Sequence, residues 1–196
     1  MSASATSREH AIWRDPSGLL NVAGGKLTTF RSMAAEAVDR AAAILRDEFG
    51  RESGDCHTEY LAVPGAPEPG AIPPSDAESM SETDDHLGHR YGTDAALVRQ
   101  LIIQDPTLAT PIVTGRPDLR AEAVYAVRHE MALTLEDVLR RRLHLCYEVR
   151  DGAMSAAPEV AALIAGMPEL DWDSEEVERQ LESYGDAVRA TRPPPG

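Results

Sequence analysis

Five prolines crowd into the stretch Pro64-Gly65-Ala66-Pro67-Glu68-Pro69-Gly70-Ala71-Ile72-Pro73-Pro74-Ser75-Asp76. Proline has no amide hydrogen and a fixed φ, so neither a helix interior nor a central strand runs through such a stretch. It reads as an extended linker with a domain boundary inside it. At 196 residues, 42% of them hydrophobic, the chain can build one ordinary domain or two small ones around a real core.

Upstream of the boundary, Gly18 to Val22 is a short apolar run behind the turn-forming Asp15-Pro16-Ser17-Gly18, which suits a buried strand. Gly24-Gly25 ends it. Met33, Ala34, Ala37, Val38, Ala41, Ile44 and Leu45 then recur at helical spacing as far as Phe49-Gly50. Downstream, helical patterns cover Thr83 to Arg90, Asp94 to Gln104, Asp118 to Glu130, Thr134 to Cys146, Pro158 to Ala165 and Ser174 to Arg189. Aromatics are only 5% of the chain, a composition that favours helix over sheet. The fold class is mainly α: a strand, glycine turn and helix, then an all-helical domain.

Local chemistry sets several of these limits. Thr93-Asp94 is placed to cap the helix carrying Leu97, Val98, Leu101 and Ile102, and Asp105-Pro106 to stop it. Thr134 and Asp137 make an acidic variant of the capping box ahead of the apolar stripe Leu135, Val138, Leu139, Leu143 and Leu145. Arg140, Arg141 and Arg142 suit the negative end of that helix as a solvated face, with a docking patch as the alternative. Arg128 and Glu130 read as a polar pair fixing helix packing. The tail at 191–196 reads as frayed.

A net charge of -14 with no basic stripe argues against nucleic-acid binding, because backbone phosphates repel such a surface. Lys26 is the single lysine among 19 cationic residues. Excess carboxylate with arginine replacing lysine resembles salt-adapted proteins of GC-rich halophiles, though GC bias alone has the same effect. Cys56 and Cys146 are too few for a disulfide framework and read as free thiols in a reducing cytoplasm. The first residues lack the apolar core of a signal peptide, and no apolar stretch is long enough to span a bilayer. Membrane contact is therefore expected only through partners.

The strongest local signal is Gly24-Gly25-Lys26-Leu27-Thr28-Thr29-Phe30-Arg31. Two glycines at a strand end let backbone approach a ligand, and the following helix N-terminus offers unpaired N–H groups and partial positive charge. Such a turn favours an anion, or the negative charge developing on a reduced flavin. The Walker spacing is absent. Ser7-Arg8-Glu9-His10, followed by the run from Gly18 through Lys26 to Ala34, resembles the region of FAD-dependent glycerol-3-phosphate dehydrogenases that closes the active site. The resemblance implies that Arg8 and Lys26 hold the substrate, glycerol 3-phosphate, and that Gly24, Gly25, Lys26, Leu27 and Thr28 pass the flavin ring.

The segment from Glu122 to Arg142 (EAVYAVRHEMALTLEDVLRRR) resembles the helical C-terminal cap of the same dehydrogenases and of α-glycerophosphate oxidases. On that resemblance, residues 1–50 are a remnant of an FAD-binding α/β domain. Residues 51–78 are a linker, 79–190 the helical cap and 191–196 a disordered tail. No G-x-G-x-x-G turn is present to hold the ADP pyrophosphate, so FAD is expected to bind only with an upstream FAD-binding domain. The implied partners also include iron–sulphur and membrane-anchoring subunits passing electrons to quinone. The acidic composition suggests a haloarchaeal source. A rival reading is a non-catalytic helical interaction module, the remnant of a truncated gene.

Weaker constellations are set aside. His129-Glu130 lacks the second histidine of H-E-x-x-H, since Leu133 stands there. His86 and His89 beside Asp84 and Asp85 fit a solvated helix start better than a metal site. Cys56-His57 lacks a second cysteine pair.

Overall fold

The structure, a computed structural model, describes residues 9–67 and 81–191. It divides into two compact units, 1–63 and 64–196. The expected linker at 51–78 straddles that division, and its residues 68–78 lie outside the described residues, as does most of the tail.

The first unit pairs β1 (His10–Arg14) with β2 (Leu20–Gly24) as an antiparallel hairpin in the register His10↔Gly24, Ile12↔Val22 and Arg14↔Leu20. Asp15 builds the connection by accepting hydrogen bonds on Oδ1 from the Ser17 amide at 2.8 Å, the Ser17 hydroxyl at 2.6 Å and the Leu19 amide at 3.2 Å. This self-contained turn is what aspartate and glycine favour. The strand expected at Gly18 to Val22 thus starts two positions later, and it is not buried: Val22 is 47% exposed. Its partner strand was not anticipated, and the helix at Phe30–Phe49 is the element that packs on the pair.

α1 (Phe30–Phe49) ends where Gly50 turns left-handed and donates its amide to Arg46 O at 3.1 Å. Polar bonds fasten it to the hairpin. His10 Nε2 meets Glu36 Oε2 at 2.7 Å, Arg40 donates to Ile12 O at 2.6 Å and to Glu36 Oε1 at 2.9 Å, and Arg14 donates to Glu48 Oε2 at 3.0 Å. Ile12 is the one buried hydrophobic residue among the described residues of this unit.

Among its described residues the second unit is helical, with one isolated antiparallel bridge between Pro111 and Leu119. It runs α2 (Glu82–Tyr91), α3 (Ala95–Gln104), α4 (Arg120–His129), a π-helical turn (Asp137–Arg142), α5 (Leu145–Glu148), α6 (Ala157–Ala165) and α7 (Ser174–Ala190). α4 packs on both α3 and α6, and α7 packs on α6. Every α4 residue from Ala121 to Val127 is buried, so this helix is the centre of the unit. Tyr184 of α7 is fully buried and donates to Gly152 O at 2.6 Å.

The stripe Leu135, Val138, Leu139, Leu143 and Leu145 is fully buried, as the spacing requires. Thr134 and Asp137 exchange the capping-box bonds, Thr134 N to Asp137 Oδ2 and Asp137 N to Thr134 Oγ1, both at 3.0 Å. The helix expected at Thr134 to Cys146 is nevertheless broken. Leu143 N bonds back to Val138 O at 2.9 Å, an i→i−5 step that inserts one residue into the turn, and His144 at φ +60° then reverses the chain. The Thr93-Asp94 cap also fails to form. Asp94 makes no capping bond and instead accepts from the Tyr125 hydroxyl at 3.4 Å.

Two glycines hold the first residues of the unit in place. Gly65 (φ +78°) and Gly92 (φ +57°) meet back to back, with Thr93 N donating to Gly65 O at 3.0 Å. A Cβ on Gly92 would lie 2.0 Å from Gly65 O. Gly92→Ala is therefore expected to destabilise the unit by about 3 kcal/mol through strain and clash together. Gly88→Ala, in open space inside α2, should stabilise it by roughly 0.5–1 kcal/mol. Denaturant midpoints of the two variants check both signs.

Candidate functional site

The glycine turn leads directly from β2 into α1. Gly24 (φ +81°) and Gly25 (φ +85°) both adopt left-handed backbone. A Cβ on Gly24 would sit 2.6 Å from Glu9 O, and one on Gly25 would sit 2.3 Å from Met33 Sδ. The space that glycine leaves is therefore taken by the chain's own backbone and by Met33, which lets the turn fold over the start of its own helix.

Lys26 follows in extended conformation, φ -125° and ψ 149°, with its side chain exposed. Its carbonyl accepts from both the Thr29 amide and the Thr29 hydroxyl at 3.0 Å, closing the short 3-10 turn Leu27–Thr29. Thr29 occupies the N-cap position of α1 but spends its hydroxyl on that bond, so no side chain caps the helix. No acidic residue lies in the first turn either. The positive end of a 20-residue helix thus stands beside an exposed ammonium. This arrangement suits an anion or an oxygen gaining negative charge.

Gly24, Gly25, Lys26, Leu27 and Thr28 form one continuous edge of the first unit. Arg8, the other expected substrate contact, lies outside the described residues. The turn leaves Lys26, Leu27 and Thr28 exposed at this edge. It supplies nothing that would cradle a pyrophosphate.

The second unit holds a buried ionic cluster that sequence reasoning missed. Glu122 is fully buried and Asp118 is 1% exposed. Glu122 accepts from Leu119 N at 2.6 Å, from the Tyr91 hydroxyl at 3.0 Å and from His86 Nε2 at 3.1 Å. Arg90 donates to Asp118 at 3.1 Å and lies 3.6 Å from Glu122. Burial pushes the Glu122 carboxyl up, against the opposing pull of the Leu119 amide, His86 and Arg90. Burial also raises the Tyr91 hydroxyl.

His86, Asp118 and Glu122 bring ligand atoms within 4.8 Å of one another, a spacing a metal ion would accept. The Arg90 guanidinium already bridges the two carboxylates, so the arrangement is that of an ion-pair cluster joining α2 to α4. His86 is therefore not part of a solvated helix start, whereas His89, 80% exposed, is. The signal available in sequence was Glu122 itself, a charge near the start of the otherwise apolar run from Ala121 to Val127.

The remaining candidates resolve into structural roles. His129 stacks on Tyr125 with ring centres 4.8 Å apart, at the side of a cleft of about 690 Å³ lined by Arg90, Tyr91, Glu130 and Arg142. Burial with Asp94 and Glu130 nearby pushes the Tyr125 hydroxyl up to about 12. Arg128 and Glu130 do not pair: Arg128 approaches Glu169 at 3.6 Å, and Arg142 donates to the Glu130 carbonyl at 2.6 Å. Arg140 and Arg141 each bind Glu136, at 2.8 and 3.0 Å. Both cysteines are free thiols, as their count implied, with Cys56 exposed and Cys146 buried.

A helical cap preceded by a strand, a glycine turn and a helix defines the class, and comparison with known proteins agrees. Residues 56–177 match the family described as the C-terminal domain of alpha-glycerophosphate oxidase, and the chain belongs to that family. Glycerol-3-phosphate dehydrogenase 2 of Mycobacterium tuberculosis is 34% identical over 194 residues, covering 95% of this chain and 32% of the relative. Glycerol-3-phosphate dehydrogenase 1 of the same organism is 39% identical over 147 residues, covering 74% and 27%. The glycerol-3-phosphate dehydrogenase of a Synechocystis species is 29% identical over 194 residues, covering 93% and 34%. The chain thus spans between 27% and 34% of the length of these relatives.

Proposed function

We propose that the chain is the C-terminal portion of a flavoprotein that oxidises sn-glycerol 3-phosphate to dihydroxyacetone phosphate. The observation that carries this reading is the likeness to glycerol-3-phosphate dehydrogenases over 95% of the chain, which takes in the glycine turn as well as the helical unit. Lys26, with Arg8, neutralises the substrate phosphate and polarises the hydroxyl oxygen. The backbone amides of the turn and the uncapped start of α1 stabilise negative charge at its edge. FAD, when bound, supplies the acceptor for the hydride.

Most of the cofactor is held by an upstream domain, since this chain lacks the pyrophosphate-binding turn. Electrons pass on to a quinone through companion iron–sulphur and membrane-anchoring subunits. No described helix is long and apolar enough to cross a membrane; in this reading any membrane contact is made by those partners. The chain alone is expected to purify colourless and to leave glycerol 3-phosphate unoxidised. Combined with a flavin-binding domain, it should yield a yellow, active complex. Absorbance at the flavin bands and dye-linked turnover test this, and stoichiometric FAD on the isolated chain would overturn the division of labour.

A further inference from the structure

The hairpin ladder sets His10 of β1 directly opposite Gly24, the first glycine of the turn. A Cβ on Gly24 would come within 3.5 Å of His10 Cα, and one on Gly25 within 3.3 Å of His10 Cβ. The stem of the imidazole therefore lies against both glycines. Met33 closes on Gly25 as well, with Sδ 3.4 Å from the Thr29 hydroxyl. Two side chains, one from the strand and one from the helix, thus border the turn just ahead of Lys26.

The imidazole is itself held. His10 Nε2 lies 2.7 Å from Glu36 Oε2, and Arg40 reaches from the next turn of α1 to Glu36 Oε1 at 2.9 Å and to Ile12 O at 2.6 Å. Met33, Glu36 and Arg40 are spaced three and four apart, so they share one face of the helix. The bond to His10, and after it the bond from Arg40, keeps the Glu36 carboxyl below its ordinary range. An ionised carboxylate only accepts, so Nε2 carries the proton and the orientation of the ring is set.

A half-exposed pair of this kind adds little to stability, and its consequence is geometric. Consecutive glycines have almost no backbone preference of their own, so the conformation ahead of Lys26 is decided by what borders it. We propose that His10, oriented by Glu36, is a positioning residue for Lys26: it fixes the Gly24-Gly25 backbone and, through it, the place of the ammonium against the substrate. The proposal rests on the role given to Lys26 above. His10 acts through the turn, since its Nε2 is committed to α1.

The test uses the complete enzyme, this chain with its flavin-binding portion, and steady-state rates with an artificial electron acceptor. His10→Ala should lower kcat/KM about tenfold to a hundredfold, the scale of a small misplacement of a binding group. His10→Gln offers an amide N–H close to the place of Nε2 and should recover most of that loss. Glu36→Ala keeps the ring but removes its partner, and should give a smaller loss of the same kind. In a Lys26→Ala background, His10→Ala should cost less than about threefold more, because it acts through that ammonium. Arg14→Gln severs a different strand–helix bond, to Glu48 at the far end of the hairpin, and should leave the rate unchanged. On the chain alone, hydrogen exchange of the Thr29 amide, which closes the turn onto Lys26 O, should quicken in His10→Ala and hold in His10→Gln and Arg14→Gln.

Wild-type rates and exchange in His10→Ala overturn the proposal. So does a full, additive loss in the Lys26→Ala background, which would give His10 a part independent of Lys26. An equal loss in Arg14→Gln overturns it too, reducing the effect to general fastening of hairpin to helix. Wild-type enzyme that leaves glycerol 3-phosphate unoxidised removes the proposed function, and exchange at Thr29 then decides by itself whether His10 fixes the turn.

Discussion

Replacing Glu122 by Ala is expected to destabilise the helical unit by about 3–5 kcal/mol, the range for removing one partner from a buried ionic cluster. Leu119 N, the Tyr91 hydroxyl and His86 would each lose their acceptor, and Arg90 would keep Asp118 and the Arg142 carbonyl. Burial offers no water to replace what is lost. Glu122→Gln keeps the volume but turns an amide NH2 toward groups that are themselves donors, so it should cost about 1–3 kcal/mol. Urea unfolding followed by helical circular dichroism gives both numbers. A Glu122→Ala shift below about 1 kcal/mol would mean that the cluster does not hold α2 to α4.

Lys26→Ala in the complete enzyme should lower kcat/KM by roughly two to three powers of ten, equivalent to about 3–4 kcal/mol. The ammonium is exposed in this chain, and its effect is expected only where the substrate and the flavin-binding portion enclose it. Lys26→Arg keeps the charge but replaces a point cation with a planar fork, so it should recover only part of the loss. Arg31→Lys, on the following helix, should be mild. Steady-state rates with an artificial electron acceptor separate these outcomes. Wild-type kinetics for Lys26→Ala would remove the loop from the site.

The helical unit was legible in sequence to a useful degree because its signals are local. Pro106, the Thr134–Asp137 box and the spacing from Leu135 to Leu145 act within a turn or two of the chain, and the structure keeps the bonds and burial they imply. The π turn at Asp137–Arg142 was not legible, since α and π turns share the same residues and differ only by where the inward side chains must land. The cluster around Glu122 was hidden for another reason. Its members come from positions 86, 90, 91, 118 and 122, and only packing of α2 on the start of α4 brings them together.

The glycine turn shows the opposite limit. Its need for glycine was readable, but the reason was not: Met33 and the Glu9 carbonyl occupy the space first assigned to a ligand. The first hairpin strand also escaped notice, because five residues with one buried position give almost no alternation to read.

The meeting of Gly65 with Gly92 ties the first residues of the proline-rich run into the helical unit. Pro64 to Ala66 sits against the end of α2, and Ser81 caps the start of the same helix through the Asp84 amide at 3.1 Å. The start of the proline-rich run and Ser81 are thus both fixed to the same helix, the one at its end and the other at its start.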